Sequence, residues 1–121
     1  MRVAILAAVG RRIGIQKARD VDPWFYPDEK WARDMLEKTG FKVEKAEMEF
    51  RQTRCEEGEG GGVEGWVRLM GKQFFDAVSK EDGVREECIK EVVENLRTAC
   101  ECPTGGSYIG YVRLRVLARK V

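Results

Sequence analysis

Apolar and polar positions alternate along the last stretch of the chain, "GSYIGYVRLRVLARKV". Tyr108, Val112, Leu114, Val116 and Ala118 are the apolar set, while Arg113, Arg115 and Arg119 fall on the other face. A period of two predicts a strand over 108–119. "FKVEKAEMEF", residues 41–50, predicts a second strand whose parity shifts midway. Phe41 and Val43 share one face there, and Ala46, Met48 and Phe50 share the other. A bulge, or a strand covered on different sides at its two ends, accounts for such a shift. The two strands are expected to pair antiparallel, with Glu44, Glu47 and Glu49 facing Arg113, Arg115 and Arg119.

A longer period marks the rest. Val3, Ile5, Leu6, Val9 and Ile13 predict a helix over 3–13 that Gly14 stops. An apolar helix starting this abruptly is expected of a chain that begins inside a larger domain. "DVDPWFYPDEK" is a loop fixed by Pro23 and Pro27. Asp28 is placed to cap a helix running to about Thr39, with Trp31, Met35 and Leu36 on one face and Gly40 after its end. Val63, Trp66, Val67, Met70, Phe74, Ala77 and Val78 sit at helical spacing. A further helix over about 82–100 turns Val84, Cys88, Val92, Leu96 and Ala99 or Cys100 inward. The expected order is α-loop-α-β-loop-α-α-β in a single domain, 1–121.

Composition narrows the chemistry. With 43% hydrophobic and 36% charged residues the chain has a globular balance, and 121 residues give room for one modest core. A net charge of +1 without a Lys/Arg run gives no reason to expect nucleic acid. "VAILAAV" is too short to cross a bilayer, and no basic segment precedes it, so no membrane and a cytoplasmic location are expected. Cys55, Cys88, Cys100 and Cys102 lack the spacing of a disulfide framework or a zinc site and read as free thiols. The chain contains no histidine. Ser-His-Asp and Cys-His catalysis are therefore impossible, and chemistry must run on carboxylates, Lys, Tyr or a cofactor.

"EEGEGGG", residues 56–62, fits the E-x-G-x-G-x-G pattern of S-adenosylmethionine loops, and "GGGVEG" fits G-x-G-x-x-G. Such loops need an apolar strand before them and a helix N-terminus behind them. "RQTRC" precedes this one, and Glu56, Glu57 and Glu59 would repel a phosphate. A solvated linker is the expected reading.

Several segments, in order, resemble the C-terminal half of a class I S-adenosylmethionine-dependent methyltransferase, nearest the trans-aconitate methyltransferase-like group. They are "RRIG", "DPWFYPDEKWARDMLEKTGFKVE", "RQT", "EGWVRLMGKQFFDAV" and "YVRLRVLARK", and they cover almost the whole chain. The resemblance implies an α+β, incomplete Rossmann-like fold, with about four helices on a closing antiparallel hairpin. It also implies that the strands holding the donor lie outside 1–121. No catalytic or cofactor-binding residue can be carried over. The chain alone is then expected to bind no cofactor, S-adenosylmethionine being that of the full-length family, and to be inactive as the shortened product of a longer gene. Trp24, Phe25, Tyr26 and Trp66 become candidate walls of a pocket for a small-molecule acceptor, and Arg51 a candidate attractor of an acidic one. Core packing is the competing role for the aromatics, and a surface ion pair for Arg51. The alternative is a self-standing dimeric α+β module that binds a ligand or protein without catalysis. In both readings the open hairpin edges are expected to be covered by homodimerisation.

Overall fold

The computed structural model describes all 121 residues. Its elements run α1 (Arg2–Ile13), α2 (Ile15–Asp20), α3 (Glu29–Lys38), β1 (Phe41–Arg54), α4 (Gly62–Met70), α5 (Lys72–Asp76), a 3-10 turn (Glu81–Gly83), α6 (Val84–Cys100) and β2 (Tyr108–Lys120). The class is α+β, with six α-helices and a two-stranded antiparallel sheet. Two compact units divide the chain. A helical unit holds Met1–Pro23 and Arg54–Ile109, and a hairpin unit holds Trp24–Thr53 and Gly110–Val121.

The helical unit is built on i, i+3, i+4 spacing. Ile5, Ala8 and Val9 of α1 are buried, as are Val63 and Val67 of α4 and Cys88, Ile89, Val92 and Val93 of α6. Phe74, fully buried, is the largest side chain at the centre. Gly14 ends α1 at φ 90, a backbone state that a side chain would resist. Arg11 and Arg12 at the C-terminal end of α1 both reach Glu91 of α6, Arg12 at 2.7 Å.

The single helix expected over 63–78 is broken. Gly71 separates α4 from α5, donating to Val67 O at 2.8 Å. A Cβ there would lie 2.5 Å from Phe75 Cε2 and 2.7 Å from Val67 O. Only glycine lets the Phe75 ring settle against the turn, and α5 is thereby turned to bury both Phe74 and Phe75. In α6 the inward set also shifts: Ile89 and Val93 are buried, whereas Val84 and Leu96 are half-buried and Ala99 is exposed.

In the hairpin unit α3 begins as its sequence requires. Asp28 Oδ1 accepts from the Trp31 N–H at 2.7 Å, which satisfies one orphan donor of the first turn. The expected apolar face of this helix is corrected. Trp31 and Met35 are 44% and 43% exposed, and the residue that α3 buries is Ala32. Arg33 of α3 donates to Val43 O at 3.3 Å, at the start of β1.

The strands are longer than their alternation predicts, β1 by four residues and β2 by one. At one end Cys55 N–H donates to Ser107 O at 2.8 Å, and at the other Val121 N–H donates to Gly40 O at 3.1 Å. Between these bonds β1 takes fifteen residue steps and β2 only fourteen. A regular antiparallel ladder requires equal counts, so β1 carries one extra residue. Consecutive exposure of Glu44 and Lys45, after buried Val43 and before half-buried Ala46, marks where the alternation breaks. The parity shift is the bulge. Two of the expected cross-strand pairs form, Arg119 Nε to Glu44 at 3.1 Å and Arg115 to Glu49. Glu47 pairs instead with Lys45 at 3.0 Å, and Arg113 turns to Tyr111.

Candidate functional site

The aromatic segment leads into α3. Pro23 and Pro27 bracket Trp24, Phe25 and Tyr26 in an irregular stretch with fixed φ at both ends. Phe25 and Tyr26 are 66% and 67% exposed, while Trp24 is half-buried. The Trp24 and Tyr26 rings lie 6.5 Å apart at 49°. Phe25 meets Trp31 edge to face, at 5.0 Å and 72°. That geometry lets the positive edge of one ring meet the negative face of the other. Trp31 is thus part of the aromatic surface, a role that its helical spacing concealed.

Arg51 lies on the charged face of β1, in the same unit as the three aromatics. Its Nε sits 3.1 Å from Glu49, which also holds Arg115. The surface ion pair weighed from the sequence is therefore present. The Arg115 hydrogen bond, ahead of the weaker pull of Arg51 and Arg113, holds the Glu49 carboxyl below its usual range. Beside it Tyr111 OH accepts from Thr53 Oγ1 at 3.1 Å and from Arg113 at 2.5 Å. The Arg113 guanidinium also stands 4.9 Å from the Tyr111 ring centroid. Thr53 first, then Arg113, lowers the phenol's pKa. Tyr111, Thr53 and Arg113 were not among the expected site residues. Pairing the two strands in register would have found them, because all are odd-numbered positions on the face of Arg51.

Trp66 belongs to the helical unit, half-buried on α4 between buried Val63 and Val67. The structure therefore gathers Trp24, Phe25, Tyr26 and Arg51 in one unit and Trp66 in the other. The helical unit also holds a cleft of about 400 Å³ with Phe75 and Ile89 at its floor. Its rim charges are largely matched to one another. Arg68 binds Glu64 and Glu86 at 2.8 and 2.7 Å, and Lys72 binds Asp76 at 2.5 Å. Arg85 donates to the Val78 carbonyl at 2.7 Å, closing the end of α5. Of the rim cations only Lys80 has no ion-pair partner within 4.0 Å, and one lysine is too little to define an anion site.

The glycine loop does stand between a strand and a helix, because β1 runs on to Arg54 and α4 begins at Gly62. Two of its donors, however, are turned inward. Gly61 N–H donates to Gly58 O at 3.1 Å and Gly62 N–H to Glu56 O at 2.5 Å. A Cβ on Gly61 would come within 2.5 Å of Glu56 O, and one on Gly65 within 2.6 Å of Gly60 O. These glycines let the loop fold on its own carbonyls rather than open a cradle of N–H groups toward a ligand. Arg54 pairs with Glu57 at 2.9 Å, and the acidic side chains of Glu56 and Glu59 stay in solvent.

The four thiols are free, with Cys55 and Cys88 buried. Burial raises the pKa of both. Cys102 differs, because its Sγ lies 3.1 Å from Thr104 Oγ1 and that hydrogen bond lowers the thiol pKa. No group of carboxylates and thiols is arranged to hold a metal ion, and no helix is long and apolar enough to cross a membrane. No family model and no curated protein matches the chain.

Proposed function

We propose that this chain is the C-terminal, acceptor-side part of an S-adenosylmethionine-dependent methyltransferase of the trans-aconitate methyltransferase-like group, a cytoplasmic enzyme acting on a small acidic molecule. The observation that carries the reading is the order of elements. An aromatic loop and capped helix (α3) feed β1, three helices intervene, and β2 returns antiparallel to β1. The segments that resemble the family fall in the same order along those elements.

Methyl transfer to a carboxylate moves the methyl from a sulfonium to an acceptor oxygen as the sulfur leaves with its bonding pair. Catalysis of that step is chiefly alignment of donor and acceptor. Trp24, Phe25 and Tyr26 supply an apolar wall for the acceptor's carbon skeleton, and Arg51, one of three arginines around the single Glu49, supplies the charge that draws its carboxylate. The donor is held elsewhere, since the inward-turned amides of Gly61 and Gly62 do not offer it a cradle. By this reading the chain on its own transfers no methyl group.

Tryptophan emission during titration with di- and tricarboxylates tests the acceptor side. A saturable change is expected, abolished by Trp24→Phe and weakened at least about tenfold by Arg51→Gln, the loss of one charge-assisted contact. Binding that neither substitution alters would place the acceptor elsewhere and defeat the assignment.

A further inference from the structure

The hairpin has an outer edge on β1, and its chemistry is self-complementary. In an antiparallel ladder successive residues turn their N–H and C=O groups alternately toward the partner strand and away from it. The bond from Cys55 N–H to Ser107 O fixes that parity. Odd residues of β1 on this side of the bulge face β2, and Met48, Phe50 and Gln52 point their backbone groups outward. No other strand pairs with them, because the sheet has only the order β1-β2. Arg33 covers the carbonyl of Val43 near the start of β1 and leaves the stretch beyond Ala46 open.

Outward groups on even residues restrict how a second β1 could dock antiparallel. With a two-fold axis at Phe50, Phe50 faces Phe50 and Met48 faces Gln52. The same register sets Glu49 directly opposite Arg51, and Arg51 opposite Glu49. Glu47 then meets Thr53, so no like charges face each other between Glu47 and Thr53. The edge of β2 is different. A two-fold within its 113–115 stretch that keeps apolar residues opposite one another also sets Arg113 against Arg115, or an arginine against itself. Cross-strand pairs of opposite charge stabilise a sheet and like pairs weaken it. Phe50 is 68% exposed and Met48 44%, so the apolar side of the same edge also has surface to bury.

We propose that β1 is the interface of a homodimer, in which two copies join edge to edge about Phe50 into a four-stranded antiparallel sheet with reciprocal Glu49–Arg51 pairs. The second copy is the occupant because each strand carries both halves of the charge match, and the contacts that Glu49 makes with Arg51 and Arg115 of its own chain lie at the surface, where they can be exchanged for the pairs across the two-fold. This proposal does not rest on the methyltransferase reading, since it uses only the edge of β1.

Sedimentation of the whole chain at increasing concentration tests it. The unaltered chain is expected to dimerise. Arg51→Glu and Glu49→Arg, each alone, set like charges opposite and should raise the dissociation constant at least about tenfold. Mixed in equal amounts, the two variants restore both pairs and should form a heterodimer. A monomer at every concentration overturns the proposal and leaves the edge to another chain. Variants that dimerise as tightly as the parent overturn it too, since the copies then meet elsewhere. Should either variant misfold by circular dichroism, amide hydrogen exchange of the unaltered chain decides. Protection of Met48, Phe50 and Gln52 must fall on dilution while their odd-numbered neighbours stay protected, and concentration-independent exchange contradicts the interface.

Discussion

The ring of Phe50 lies over Gly110 on the facing strand, where an added Cβ would come 3.0 Å from its Cζ and 3.1 Å from its Cε2. Glycine in a strand normally weakens it, and alanine would be preferred by roughly 0.5–1 kcal/mol. Here that preference is opposed by the ring. Gly110→Ala should therefore give little or no gain in the parent chain, and about 0.5–1 kcal/mol of stabilisation once Phe50 is replaced by Ala. Urea denaturation of the four chains of this cycle gives the coupling. Equal effects in both backgrounds would mean that the ring does not occupy the glycine's space.

Gly71 is the tighter case. Its backbone at φ −91 is open to any residue, but a Cβ has nowhere to go between Phe75 and Val67 O. Gly71→Ala should cost about 1–3 kcal/mol, the range for overpacking a fixed core. Chemical denaturation of the full chain measures it. A neutral result would show that α4 and α5 can merge into the continuous helix their apolar spacing describes.

Asp28→Ala removes the acceptor for Trp31 N–H at the start of α3. A loss of about 1 kcal/mol is expected, with Asp28→Asn nearly harmless because an amide oxygen can accept the same bond. If Asn is as damaging as Ala, the carboxylate's charge matters more than the cap.

The thiols should react in a defined order. Thr104 lowers the Cys102 pKa, so its thiolate forms at a lower pH than that of a free cysteine. Burial raises Cys55 and Cys88 and also blocks their access, at 1% and 0% exposure. Iodoacetamide should label Cys102 first, its rate climbing with pH ahead of the others. Thr104→Val should shift that climb upward in pH, whereas an unchanged profile would remove the Thr104 hydroxyl as the cause.

Much of this fold could be read from residue order. Asp28 announced the start of α3, and the parity change at Ala46 announced the bulge. What escaped depended on neighbours distant in sequence. Met70 and Phe74 have helical spacing, yet the contact between Gly71 and Phe75 breaks the helix, and spacing cannot see a steric limit. Trp31 and Met35 look like core residues by period, but exposure is set by what packs against α3. At the candidate site the aromatic loop stood out because two prolines bracket it. The Thr53, Tyr111 and Arg113 network did not, since it exists only after β1 and β2 are set in register. The glycine loop shows the reverse: its pattern is legible and its strand and helix are in place, but the Gly61 and Gly62 amides next to the helix bond to the loop's own carbonyls.

Calorimetric titration of the chain with S-adenosylmethionine is the most direct measurement. Its amides at Gly61 and Gly62 are spent on Gly58 and Glu56, so no saturable heat is expected, in contrast to the acidic acceptors that should bind near Arg51. Saturable donor binding that is lost when Gly61 is replaced by Val would show that this loop opens to hold the donor, and would contradict the assignment of the chain to the acceptor side alone.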